Sequence, residues 1–140
     1  MLRVSRLGGA LITVLLLAGC ADGDGPGEDP SAPAAHLTIV LDEAGNGATR
    51  TFTVTCDPVG GDHPDAAAAC AALDAGGIAA FAPTSPDVVC TDQWGGPQVA
   101  TVDGTVDGQR VIATFTRTDG CEISRWDALA SLLGSRGGAQ

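Results

Sequence analysis

Thr51-Phe52-Thr53-Val54-Thr55-Cys56 runs through Asp57-Pro58-Val59-Gly60-Gly61 into Asp62-His63-Pro64-Asp65-Ala66, and the periodicity changes on the way. Phe52, Val54 and Cys56 alternate with Thr51, Thr53 and Thr55, the signature of a strand with one buried face. Gly60-Gly61 breaks it. Asp62-His63-Pro64-Asp65 then reads as a helix start: Asp62 or His63 sits near the cap, proline lies in the first turn, and Asp65 suits the helix dipole. The helix that follows, Ala66 to Leu73, is short and stops before Gly76-Gly77. A half-buried strand followed at once by a helix that must cover a sheet face predicts an α+β domain.

Working outward, Leu37, Ile39 and Leu41 alternate with Thr38, Val40 and Asp42 in a strand that opens the domain near His36, and Gly45-Asn46-Gly47 turns the chain. A loop punctuated by Pro83 and Pro86 leads to Cys90. Gln98–Val102 and Gln109–Arg117 then read as two strands around Asp107-Gly108, a hairpin signal. Val111, Ala113 and Phe115 point to the core, and Ile112, Thr114 and Thr116 away from it. After Asp119-Gly120, the residues Ile123, Trp126, Leu129, Ala130 and Leu133 recur at helical spacing, which makes Trp126 a core residue. Gly134 ends that helix. The domain therefore spans residues 36–134, with 135–140 a frayed tail.

The N-terminus is built for export. Arg3 and Arg6 precede an apolar run from Leu7 to Gly19, shorter than the roughly 20 residues a membrane span needs. It ends in Leu17-Ala18-Gly19-Cys20, which resembles a bacterial lipobox. That resemblance implies a signal peptide over 1–19 and a lipidated Cys20. The protein would then be extracytoplasmic, anchored to the outer face of the cell membrane; a secreted protein with an incidental cysteine is the alternative. Residues 20–35 are dominated by Gly, Pro and acid, the composition of a flexible tether. Asp22, Asp24, Glu28 and Asp29 lack the terminal glutamate of a calcium loop, and prolines interrupt them. The net charge is −10 with no lysine. Without the signal, five arginines face seventeen acids, a net of −12. Such a surface argues against nucleic acid and anionic headgroups as partners. The Ala, Gly and Arg bias fits a high-GC bacterial genome.

With Cys20 given to lipid, Cys56, Cys70, Cys90 and Cys121 remain, an even set in an exported small domain, for which disulfides are the default. Three pairings are open. A zinc site is disfavoured because paired C-x-x-C spacing is missing. Cys90-Thr91-Asp92-Gln93-Trp94-Gly95-Gly96-Pro97 is too short and polar to build core. Its Gly-Gly-Pro exit fixes a turn, and Trp94 either stands out for a partner or folds back onto the body. His36 and His63 are the two imidazoles, and neither has the nucleophile and orienter of a catalytic set. The Asp57, Asp62, His63, Asp65 cluster could ligate a metal, but helix capping and solubility account for all four. No enzyme, metal or cofactor is expected.

Taken together, Thr53-Val54-Thr55-Cys56-Asp57-Pro58, Gly60-Gly61-Asp62-His63-Pro64, Ala69-Cys70-Ala71-Ala72-Leu73, Cys90 with Gly96-Pro97, Thr101-Val102-Asp103-Gly104 and Gly120-Cys121-Glu122 resemble the Streptomyces subtilisin inhibitor family. The resemblance implies an antiparallel five-stranded sheet with two α-helices packed on one face. It implies sequential disulfides, Cys56–Cys70 and Cys90–Cys121, worth about 3 and about 3.7 kcal/mol in the chain-entropy model. It also implies a homodimer through the sheets, and reversible inhibition of subtilisin-like serine proteases by a substrate-like loop. Counting from Cys90 as in the family puts the reactive bond at Asp92–Gln93, with Trp94 on the primed side. The loop is one residue longer than in better-known relatives, which carry an apolar or basic residue in the presented position. If the extra residue precedes Asp92, the bond is Gln93–Trp94. A membrane-anchored cell-envelope interaction module on the same fold, without inhibitory activity, is the competing expectation.

Overall fold

A computed structural model describes residues 33–134. The proposed signal, Cys20, most of the tether and the tail lie outside these residues. Four antiparallel strands, β1 (Ala35–Asp42), β2 (Thr49–Cys56), β3 (Val99–Val106) and β4 (Gln109–Phe115), form one sheet in the order β2-β1-β3-β4. The helices are α1 (Ala66–Gly76), α2 (Gly120–Ala128) and α3 (Ala130–Leu133), with a 3-10 turn at Ile78–Phe81.

The two-residue period decides which side of the sheet the helices cover. Leu37, Ile39, Leu41, Val54, Val102 and Phe115 are buried on one face and meet Trp126, Leu129, Leu132 and Leu133 from the last two helices. Emptying the Trp126 site would cost about 3–5 kcal/mol. Asp107 and Gly108 both take positive φ, as a two-residue hairpin between right-twisted strands requires.

The expected fifth strand is absent among the described residues, and the hydrogen bonding at the edge of β2 gives the reason. Thr55 exchanges both backbone bonds with Gly60, each at 3.0 Å. The His63 amide donates to the Thr53 carbonyl, and the Thr53 amide goes to the Asp62 carboxylate. A returning turn and one side chain therefore satisfy the outward backbone groups of Thr53 and Thr55, which leaves that end of β2 closed to a further strand. At the other edge, Arg125 donates to the Thr114 carbonyl and lies over the Phe115 ring.

Three further expectations need correction. The cap of α1 is Asp65, whose carboxylate accepts from the Ala68 amide at 3.0 Å. Asp62 is held on β2 and His63 is buried under the helix start. The helix runs through Gly76 and stops at Gly77. The last helix is not continuous: Leu129 leaves helical geometry (φ −120°, ψ 19°) and separates α2 from α3. That break lets Trp126 and Leu129 enter the core together with Leu132 and Leu133.

Candidate functional site

Cys90–Pro97 makes no regular structure and leads into β3. Its first foot is covalent: Cys90 is joined to Cys121 at the start of α2, with Cα atoms 5.4 Å apart. One residue on, the Thr91 carbonyl accepts from the Gly120 amide at 3.0 Å and from the Gln93 amide at 2.8 Å. The approach is close enough that a Cβ on Gly120 would collide with the Thr91 hydroxyl. Asp119 caps α2 by accepting from the Cys121 and Glu122 amides. The Asp119 carboxylate comes near Cys90 and Cys121. With both sulfurs in a disulfide and the carboxylate capping a helix, the trio anchors the loop and does not make a metal site.

The second foot is Gly95. Its amide donates to the Arg117 carbonyl at 2.7 Å, and the Arg117 Nε donates back to the Gly95 carbonyl at 3.2 Å. Ile123 lies directly beneath: a Cβ on Gly95 would come within 2.8 Å of its side chain. Ile123 was expected on the core-facing stripe of the helix, and it serves as the floor of the loop instead. Gly96 is buried with φ 136°, a conformation glycine alone adopts readily, and it turns the chain into Pro97.

Between the feet, Thr91, Asp92, Gln93 and Trp94 are exposed, and Trp94 keeps 69% of its surface in water. Of the two readings of Trp94, folding back onto the body is not what the structure shows; the side chain stands exposed. Asp92, Gln93 and Trp94 lie between the anchored Thr91 and Gly95, so both candidate bonds fall in the exposed span between the two anchors. Fixing the loop at both ends meets part of its backbone ordering cost before any partner arrives.

The profile of the subtilisin inhibitor-like family matches residues 31–118. The chain belongs to that family. Subtilisin inhibitor-like protein 1 of Streptomyces cacaoi is 40% identical over 85 residues, covering 58% of this chain and 76% of the relative. The subtilisin inhibitor of Streptomyces violaceus is 39% identical over 113 residues, covering 76% of this chain and 77% of its own. The transglutaminase-activating metalloprotease inhibitor of Streptomyces mobaraensis is 37% identical over 98 residues, covering 66% of each. A weaker structural likeness is to Streptomyces caespitosus sermetstatin, solved in complex with Bacillus licheniformis subtilisin. The TM-score is 0.45 at 27% identity, over 73% of this chain and 97% of that one.

The remaining residues singled out in this inhibitor-family chain have structural work. His63 is 7% exposed; its Nδ1 accepts from the Asp65 amide and its Nε2 donates to the Leu132 carbonyl, tying α1 to α3. Cys56 and Cys70 are joined and buried. His36 is exposed on β1, and Asp57 is exposed in the turn after β2. What sequence reasoning missed is the other half of the clamp: Arg117, Ile123 and Asp127. Nothing local marks Arg117 as a loop contact, since it reads as an ordinary cation at a strand end.

Proposed function

We propose that this protein inhibits subtilisin-like serine proteases by offering Asp92–Trp94 to the catalytic cleft as if it were substrate, and that it is no enzyme. The observation that carries the reading is the exposed three-residue span between two feet fixed to one stretch of the body, Arg117–Cys121. The relatives named as subtilisin and protease inhibitors supply the activity class. In such a complex the protease serine attacks the presented carbonyl and its histidine carries the proton to the departing amine. A loop that keeps both new ends in place allows the amine to return before water does.

The reactive bond is either Asp92–Gln93 or Gln93–Trp94. An assay against a panel of serine proteases, with acid-specific enzymes and a metalloprotease included, tests the function. Slow, reversible inhibition of at least one serine protease is expected. If none is inhibited, the domain is a binding module on an inherited scaffold.

Two finer readings belong to the same proposal. Lipidation of Cys20 would hold the inhibitor on the outer face of the membrane. A Cys20→Ala variant should then leave the membrane fraction, and equal recovery there would refute the anchor. The sheet face away from the helices offers Thr51, Thr53, Thr55, Thr114, Thr116 and Ile112, the last 74% exposed. The same face also carries Asp103 and Arg110, paired with each other at 2.8 Å. A threonine-rich face whose Asp103 and Arg110 neutralise each other, in so acidic a chain, suits a symmetric homodimer with sheets face to face. Sedimentation showing monomer alone at micromolar concentration would count against it.

A further inference from the structure

The loop's covalent foot lies upstream of either candidate bond, so the disulfide holds one product end and leaves the other to noncovalent contacts. At Gly95 those contacts are the backbone bond to the Arg117 carbonyl, the Ile123 floor and the Arg117 side chain. The Arg117 guanidinium donates Nε–H to the Gly95 carbonyl at 3.2 Å, while one terminal nitrogen reaches the Asp127 carboxylate at 2.9 Å. Its centre lies 5.9 Å from the ring centroid of the buried Trp126. The side chain is 14% exposed. Packing on the indole and the ion pair to α2 select one rotamer, and that rotamer aims Nε at the loop. Gly95 is one residue beyond Trp94 and two beyond Gln93, so whichever amine is released stays within a short tether of the clamp.

We propose that Arg117 is the positioning residue that keeps the primed side of the reactive loop on the protein after cleavage, and that Asp127 sets its orientation. This rests on the inhibitor reading above. When the protease serine has formed an ester with the presented carbonyl, the new amine on Gln93 or Trp94 is free. Religation has that amine attack the ester carbonyl and expel the serine oxygen, which takes back its proton through the enzyme's histidine. Hydrolysis is the competing attack by water, which leaves a carboxylate and an amine. Holding Gly95 raises the local concentration of the amine and favours the first route. Because Thr91 is held by Gly120 and Gly95 by Arg117, the segment 117–121 keeps the two new ends in register.

The test compares the wild-type protein with Arg117→Ala and Arg117→Lys. The lysine variant keeps a charge beside Asp127 but lacks the Nε donor placed for Gly95. Incubation with a limiting amount of an inhibited serine protease gives the rate of inhibitor consumption and the equilibrium ratio of cleaved to intact chain. Both should rise roughly tenfold in each variant, the effect of losing one charge-assisted hydrogen bond. The thermal midpoint of the lysine variant should stay near that of the wild type. Consumption at the wild-type rate in a folded Arg117→Lys variant would overturn the proposal. If the wild-type protein inhibits nothing, the function has failed and the clamp is judged by backbone ¹⁵N relaxation. Lower order parameters at Trp94 and Gly95 in the variant support it, and unchanged ones overturn it.

Discussion

The β2–α1 corner and the Cys90–Pro97 loop are each closed by one disulfide, yet the first is buried and the second carries its cargo into solvent. Around Cys56–Cys70, the Asp62 carboxylate and the His63 ring fasten β2, α1 and α3 together, and both sulfurs are out of water. Around Cys90–Cys121, the anchors stop at Thr91 and Gly95 and leave Asp92, Gln93 and Trp94 bare. The same covalent device therefore has two outcomes, decided by what packs beside it. In one place it completes a core, and in the other it lowers the entropy of a loop that touches little.

The largest expected effects come from removing each bond in turn. Chain entropy assigns about 3 kcal/mol to Cys56–Cys70 and about 3.7 kcal/mol to Cys90–Cys121. At about 4–8 °C per kcal/mol for a domain of this size, either double alanine variant should lose more than about 10 °C in melting temperature. Stability alone will not separate them. Persistence of inhibition will: only the Cys90→Ala/Cys121→Ala variant should be consumed as a substrate at a temperature where both remain folded. If the other variant is consumed equally fast, the division between a core bond and a loop bond is wrong.

A comparable effect is expected from the presented residue. An ionised carboxylate entering an apolar pocket costs several kcal/mol. If Asp92 is presented, Asp92→Leu or Asp92→Met should tighten binding to a subtilisin-like enzyme at least ~100-fold, since about 3 kcal/mol spans two decades. If Gln93 is presented, Asp92→Leu changes little and Gln93→Leu gives the gain. No improvement from either substitution would remove the loop from inhibition. Neither change touches the β2–α1 corner, so melting temperatures should hold steady throughout the series.

How much of this was readable beforehand follows the same divide. The alternation of Leu37-Ile39-Leu41 and Val111-Ala113-Phe115 is local, and local periodicity reported the buried face directly. The Asp107-Gly108 turn was legible for the same reason. The strand count was not, because the edge of β2 is satisfied by Asp62 and Gly60, a return contact that leaves no strand pattern of its own. The break at Leu129 has no glycine or proline to announce it. In the loop, residue types told of a turn and an exposed aromatic. The partner that fixes Gly95 is twenty-two positions away at Arg117, and no spacing rule connects them.

The smallest expected effect is acid sensitivity, and it sharpens the comparison because each region has its own carboxylate. The Thr53 amide and hydroxyl donate to Asp62 and hold its carboxyl below the ordinary range, with desolvation opposing. The Gly47 amide, helped by those of Asn46 and Ala44, does the same for Asp42 against a similar opposition. Asp42 orders the β1–β2 turn, where Gly45 lies against the Pro97 carbonyl at the foot of the loop. Both groups bind their proton less readily folded than unfolded. Their contribution is therefore complete above the unfolded value, near pH 4, and fades as pH falls through the lower folded value. Asp62→Asn and Asp42→Asn keep an accepting oxygen but lose the charge. Each variant should melt slightly below the wild type at pH 6, and the gap should narrow as pH falls below the ordinary carboxylate range. A gap that stays constant across that range would mean that shape and not charge is what the carboxylate supplies. Asp62→Asn should leave loop persistence unaltered at any pH, whereas Asp42→Asn, by loosening the turn under Pro97, should shorten it slightly.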